Sequence, residues 1–215
     1  MRSVKLIVFG ASGGCGTHLV RQAAARGHQV TAIVRPTTAY AAPDGVSLVR
    51  GDVLDAAFVS TAVSGHEAVA SCLGIRYRYL WGKRQSPDDF ISTATAHIVS
   101  AMNATGARRI SVISAAGVAE SRPAANLVIR LLIATSNVGV AYTDLARVEE
   151  ILRHSGLDWQ VVRPTTLSSR RGTGSARVTT SFPVTASIAR SDVAAFMLAE
   201  LERPAFTART PIITG

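Results

Sequence analysis

The chain has 215 residues, 47% apolar and 17% charged, and 23 basic against 14 acidic side chains give a net charge of +9. That much apolar sequence can build a full core, which excludes a disordered basic tail. Only two lysines, Lys5 and Lys83, stand beside 21 arginines, which excludes Lys-rich nuclear-localisation or histone-tail runs. The arginines occur singly or in pairs, so the charge alone is weak ground for nucleic-acid binding. Two cysteines, Cys15 and Cys72, cannot build a disulfide framework or a four-cysteine zinc site. No run reaches the ~20 apolar residues of a membrane span, and the apolar run at 4–9 is short for a signal peptide. A soluble, cytoplasmic protein is expected.

Strands and helices alternate along the whole chain. Residues 4–9 form a continuous β-branched and apolar run, as a parallel strand buried on both faces requires. Residues 17–26 have helical spacing and stop at Gly27. Residues 29–34 and 46–49 read as strands, 55–63 as a helix with Asp55 as N-cap, and 68–73 as a fourth strand. Pro87-Asp88-Asp89 opens a long helix that ends at Gly106. A fifth strand covers 109–114, and 122–138 is expected to turn helical after Pro123. Another helix covers 142–154, a sixth strand 159–162, a last helix 191–201 and a short strand 211–214. The order predicts an α/β fold: one Rossmann-type, doubly wound parallel sheet of about seven strands with helices on both faces. No linker or internal repeat divides it. A single domain over 1–215 is expected, with substrate-side loops at about 75–87, 115–140 and 165–188.

Between the first strand and the first helix stands Gly10-Ala11-Ser12-Gly13-Gly14-Cys15-Gly16. The chain must turn sharply there, bring its backbone close to a pyrophosphate and pack the helix on the sheet, and each demand excludes a Cβ. The helix N-terminus then offers free N–H groups and a positive dipole to the phosphates. The second strand ends in Val34-Arg35-Pro36-Thr37-Thr38. An NAD site places a carboxylate there for the ribose 2′-hydroxyl, whereas Arg35 suits a 2′-phosphate in forked geometry. The expected cofactor is NADP (NADPH).

Several blocks, in this order, resemble an atypical short-chain dehydrogenase/reductase of the NAD(P)H-binding, NmrA-like branch, similar to its biliverdin and flavin reductases. They are VFGASGGCG, VTAIVR, GDVLD, CLG, SVISAAG, ILRHSGLDWQVVRP and IARSDVAAFML. The resemblance implies cofactor contacts at Gly10, Ser12, Gly13, Gly14, Cys15 and Gly16. It further implies Asp52 and Val53 against the adenine, Leu73 and Gly74 past the fourth strand, Ser114 near the nicotinamide, and Pro164 and Thr165 on the carboxamide side. The Tyr-x-x-x-Lys pair of most short-chain enzymes is not matched, because the helix after the fifth strand offers Tyr142-x-x-x-Ala146. Tyr79-x-x-x-Lys83 is a literal match on the wrong element. The pocket histidines of the biliverdin reductases are unmatched as well.

The acceptor side has three candidates. In IRYRYLWGKR, Arg76, Tyr77, Arg78, Tyr79 and Trp81 combine aromatic faces with cations beyond the fourth strand. They suit a planar or anionic small molecule, or else form a solvated loop over a core edge. Ser114 and Tyr142 are candidate catalytic groups, each with a purely structural alternative. Arg170-Arg171-Gly172-Thr173-Gly174 is a basic turn, either a lid over an acidic group or plain surface. His18, His28, His66, His97 and His154 share no ligand spacing, so no metal is expected. The expected function is an NADPH-dependent reductase of a small aromatic or conjugated acceptor such as a carbonyl, quinone or flavin. Alternatives are a non-catalytic, NADP-holding NmrA-like redox sensor and an RNA-associated short-chain homologue. A monomer or small homo-oligomer is expected, with no membrane or nucleic-acid partner.

Overall fold

A computed structural model describes residues 3–75, 86–124 and 135–215. In chain order it holds β1 (Lys5–Phe9), α1 (Gly14–Ala25), β2 (Gln29–Val34), β3 (Ser47–Arg50), α2 (Ala56–Val63) and β4 (Ala68–Ser71). Then come α3 (Phe90–Thr105), β5 (Arg109–Ile113), a 3₁₀ turn (Ala119–Ala124), α4 (Asn137–Arg153), β6 (Asp158–Pro164) and β7 (Thr166–Ser168). The last elements are β8 (Arg177–Thr179), β9 (Ser187–Ala189), α5 (Arg190–Glu202) and β10 (Ile212–Thr214).

The main sheet runs β3-β2-β1-β4-β5-β6-β10-β8. Every pair is parallel except β10 with β8. The order reverses between β1 and β4, so their carboxyl ends open the crevice in which such sheets bind ligands. Strand alternation divides the core between two faces. Ile7, Phe9, Val69, Ile110, Val112 and Val161 face α2, α3 and α4. Leu6, Val8, Ala32, Ala70, Ile113 and Val162 face α1 and α5, which pack on each other.

The sheet has eight strands rather than about seven, and β7 pairs with β9 in a separate two-stranded parallel sheet. Three-residue strands carry no readable periodicity. Helix α1 starts at Gly14, inside the glycine turn, because the first intrahelical bond runs from Thr17 N to Gly13 O. Helix α4 starts at Asn137, five residues before the expected 142, with the Ser136 hydroxyl accepting from Val138 N at 3.2 Å. Pro164 does not end β6 early but is its last residue, where its missing N–H costs no ladder bond. Of the helix expected over 122–138, the described part begins with the 3₁₀ turn, and 125–134 lie outside the described residues.

Asp55 caps α2 as expected, accepting from Ala57 N and Phe58 N at 2.9 and 3.2 Å. At α3 the side chain of Asp89 makes no cap. The cap comes from Asp144 on α4 instead, whose fully buried carboxylate accepts from Ile91 N at 2.7 Å and Ser92 N at 3.2 Å. No helix among the described residues is long and apolar enough to cross a membrane.

Candidate functional site

The turn from β1 into α1 leaves no room for side chains. Gly10 has φ +73°, and a Cβ on it would stand 2.6 Å from Cys72 O. A Cβ on Gly13 would stand 3.1 Å from Gly10 O, and one on Gly16 would collide with the Gly10 backbone. The turn is thereby closed on itself and on the end of β4, which puts Leu73 and Gly74 beside it. Gly13 extends into α1 with no side-chain cap. The N–H groups of Gly14, Cys15 and Gly16 belong to the first turn, ahead of the first intrahelical bond, and point where an anion is favoured. This cradle fits a dinucleotide pyrophosphate. Ser12 lies half-buried in the same turn, and Cys15 is buried beneath it. Burial raises the Cys15 thiol to about 11, opposed by the charge of Arg190. Burial, then the neighbouring Cys15, push Cys72 well above the usual thiol range. Neither thiol is a nucleophile at neutral pH.

At the end of β2, Arg35 is exposed and has no ion-pair partner among the described residues. The segment after it is held by Arg50, whose Nη1 donates to Thr38 O at 2.6 Å. Past β3, Asp52 turns its carboxylate back to accept from Leu54 N at 2.9 Å, and the Val53 carbonyl accepts from the His97 ring at 3.2 Å. Val53 is buried.

At the ends of β5 and β6 lies a buried polar network. The Ser114 hydroxyl donates to Glu149 Oε1 at 3.0 Å. Arg163 Nε donates to the same oxygen at 3.0 Å, and its Nη2 reaches Glu149 Oε2 and, at 2.8 Å, Glu120 Oε1. Ser114, Glu149 and Arg163 are all nearly inaccessible to solvent. Burial works against the Arg163 charge, but the two carboxylates outweigh it and hold the guanidinium above its ordinary value. Tyr142 on α4 donates its hydroxyl to Ala116 O at 3.1 Å, and burial pushes its phenol above the usual range. Pro164 O accepts from Ala116 N at 3.0 Å, which joins the two strand ends. Thr165 is buried, its N–H on Ile213 O and its hydroxyl on Thr214.

The structure therefore brings the glycine turn, Leu73 and Gly74 together, and separately gathers Ser114, Tyr142, Pro164 and Thr165 around the ends of β5 and β6. Arg76, Tyr77, Arg78, Tyr79 and Trp81 lie outside the described residues. The basic turn at 170–174 is not a loose flap: Asp192, buried at the start of α5, accepts from Thr173 N at 2.9 Å and Gly174 N at 3.1 Å. Sequence reasoning missed Glu149, Arg163, Asp192 and Arg190. Glu149 stands beside Glu150 and between Arg147 and Arg153, so nothing local marks it as buried, and Arg163 follows two valines at a strand end with no acid near it in sequence. No cluster of possible metal ligands exists among the described residues.

Residues 10–204 match the family described as NAD(P)H-binding. A Streptomyces protein named 3-diazoavenalumate denitrifying reductase is 35% identical over 186 residues, which are 81% of this chain and 59% of that protein. The chain thus spans less than two thirds of that relative's length. Among solved structures, ChuY, an anaerobillin reductase from Escherichia coli O157:H7, superposes with a TM-score of 0.77 at 22% identity, covering 97% of this chain and 95% of that one. A wide-type short-chain dehydrogenase/reductase from Veillonella parvula in complex with NADP gives 0.78 at 15% identity, covering 98% and 94%. Identities this low show the shared fold.

Proposed function

This chain belongs to the NAD(P)H-binding family, and from that premise we propose that it is an NADPH-dependent reductase of a small conjugated acceptor. The observation that carries the reading is the closed glycine cradle, where a Cβ at Gly10 would stand 2.6 Å from Cys72 O. When bound, NADPH supplies a hydride to an electrophilic atom of the acceptor.

The chain's own groups bind and orient. The first-turn amides of α1 hold the pyrophosphate. Arg35, free of carboxylate partners among the described residues, takes the 2′-phosphate. Asp52 and Val53 bound the adenine, and Leu73, Gly74, Pro164 and Thr165 line the path to the nicotinamide. Ser114 and Tyr142 stand at the reacting end, but each hydroxyl proton is already given to a protein oxygen. Ser114 is left with lone pairs that can accept from a carboxamide, and Tyr142 holds its proton tightly. The acceptor's proton then comes from water, which suits flavins, quinones and other conjugated systems whose reduced forms are stabilised by delocalisation. Orientation supplies much of the rate in such a site. The reductase class also agrees with the name of the Streptomyces relative. The substrate-side loops at about 75–87, 115–140 and 165–188 would shape the acceptor pocket.

The test is NADPH oxidation with a quinone, a flavin, an aromatic ketone and a diazo compound. Turnover of at least one is expected, and replacing Arg35 by Ala should raise the KM for NADPH far more than that for NADH. A second reading, an NADP-holding redox sensor, is favoured by the same committed hydroxyls. Tight NADPH binding without turnover of any acceptor would select it.

A further inference from the structure

We propose that Arg190, the first residue of α5, is the second jaw of the dinucleotide site and grips the pyrophosphate opposite the glycine turn. This rests on the dinucleotide reading and adds to it a residue from the far end of the chain.

The argument begins with Gly14. A Cβ there would collide with the Arg190 Cδ and stand 2.7 Å from its Nε. The arginine therefore lies flat across the first turn of α1, and a glycine is what lets it do so. Its charge reaches the buried Cys15 one residue further on. A guanidinium over a helix N-terminus sets a full positive charge against the positive end of a helix dipole, worth roughly half a charge. That arrangement is unfavourable unless an anion lies between them. No carboxylate does: Arg190 has no ion-pair partner among the described residues, and its Nη1 donates only to the Ser169 hydroxyl at 2.7 Å. The nearest acid on its own helix, Asp192, is taken up by Thr173 N and Gly174 N. A guanidinium set beside the first-turn amides makes this corner of the turn favourable for an anion. A pyrophosphate diester fits, since it carries a negative charge on each phosphorus and can meet the amides with one phosphate and the fork of Arg190 with the other.

The jaw also joins the cofactor to the acceptor side. Arg190 holds Ser169, while Asp192 holds Thr173 and Gly174, and a Cβ on Gly172 would stand 2.8 Å from Asp192 Cγ. The segment bearing Arg170 and Arg171 is thus built on the same helical turn that grips the pyrophosphate.

Fluorescence titration of the full chain tests this. Arg190→Ala should weaken NADPH binding by roughly tenfold to a hundredfold, the span of a charge-assisted bond. It should leave adenosine 2′-monophosphate, which has no pyrophosphate, unchanged, and Arg190→Lys should restore part of the loss. Arg35→Ala should weaken both ligands. Gly14→Ala, which displaces the arginine, should weaken NADPH in the native background and add little in the Arg190→Ala background. Unchanged NADPH affinity in Arg190→Ala, equal losses for both ligands, or additive effects of the Gly14 and Arg190 changes would each overturn the jaw. A native chain that binds neither NADPH nor NADH would overturn the dinucleotide reading itself.

Discussion

Ser114 and Glu149 share a proton's worth of attention across 3.0 Å, from the end of β5 to the middle of α4, and Arg163 closes the arrangement from β6. The Ser114 hydroxyl is therefore a donor with a fixed partner before any ligand arrives. Ser114→Ala should lower kcat by less than about tenfold, because the hydroxyl proton is not available to a substrate. The loss in stability should be ~1 kcal/mol, the net worth of one hydrogen bond. A thousandfold fall in kcat with unchanged KM would show that the Ser114 hydroxyl turns from Glu149 to the substrate during turnover.

Glu149→Ala removes the partner of a buried guanidinium. Breaking a buried pair from one side costs about 3–5 kcal/mol, and Arg163 would be left with only the exposed Glu120. Urea unfolding should show a loss of that size, far larger than for Glu150→Ala, whose ion pair with Arg153 is exposed. Equal effects of the two substitutions would mean that the existing bond to Glu120 is enough to hold Arg163.

Asp144→Ala should destabilise the fold by about 2 kcal/mol, because two first-turn amides of α3 lose a buried acceptor. NADPH affinity should stay within about twofold, as both acceptor bonds of this carboxylate go to amides of α3 and none to the glycine turn. A change in affinity without a change in the unfolding midpoint would contradict this.

Thermal stability should fall between about pH 9 and 11. The sign follows from proton binding: Cys15 ionises near 9.0 when unfolded but only near about 11 when folded. Across that window the native state keeps a proton that the unfolded state loses, so stability drops as pH rises. A shift of this size corresponds to about 3 kcal/mol. Cys72 and Tyr142 shift in the same direction and add to the fall. Cys15→Ala should flatten the alkaline limb, and melting curves across this range will check it.

The parts of the molecule written in short-range chemistry were legible. The alternation of elements, the glycine turn, the Asp55 cap and the helix stop at Gly106, with φ +82°, all depend on neighbours within a few residues. What escaped depends on partners far along the chain. Asp144 reads as one more polar residue until α3 arrives 53 residues away. Glu149 and Arg163 read as surface charges until β5, β6 and α4 enclose them. Arg190 sits in a run that reads as the start of a helix, and only its contact with Gly14 makes it part of the site. The pair β7–β9 was invisible because three residues cannot show a period.

The position of β10 has a bearing on how the chain assembles during synthesis. It lies between β6 and β8, so β8 has no neighbour in the main sheet until residues 212–214 have been made. The six strands from β3 to β6 can zip together while the ribosome is still translating, but β8 must wait with its edge unpaired. Removing residues 212–214 would therefore leave both β6 and β8 with an unpaired edge.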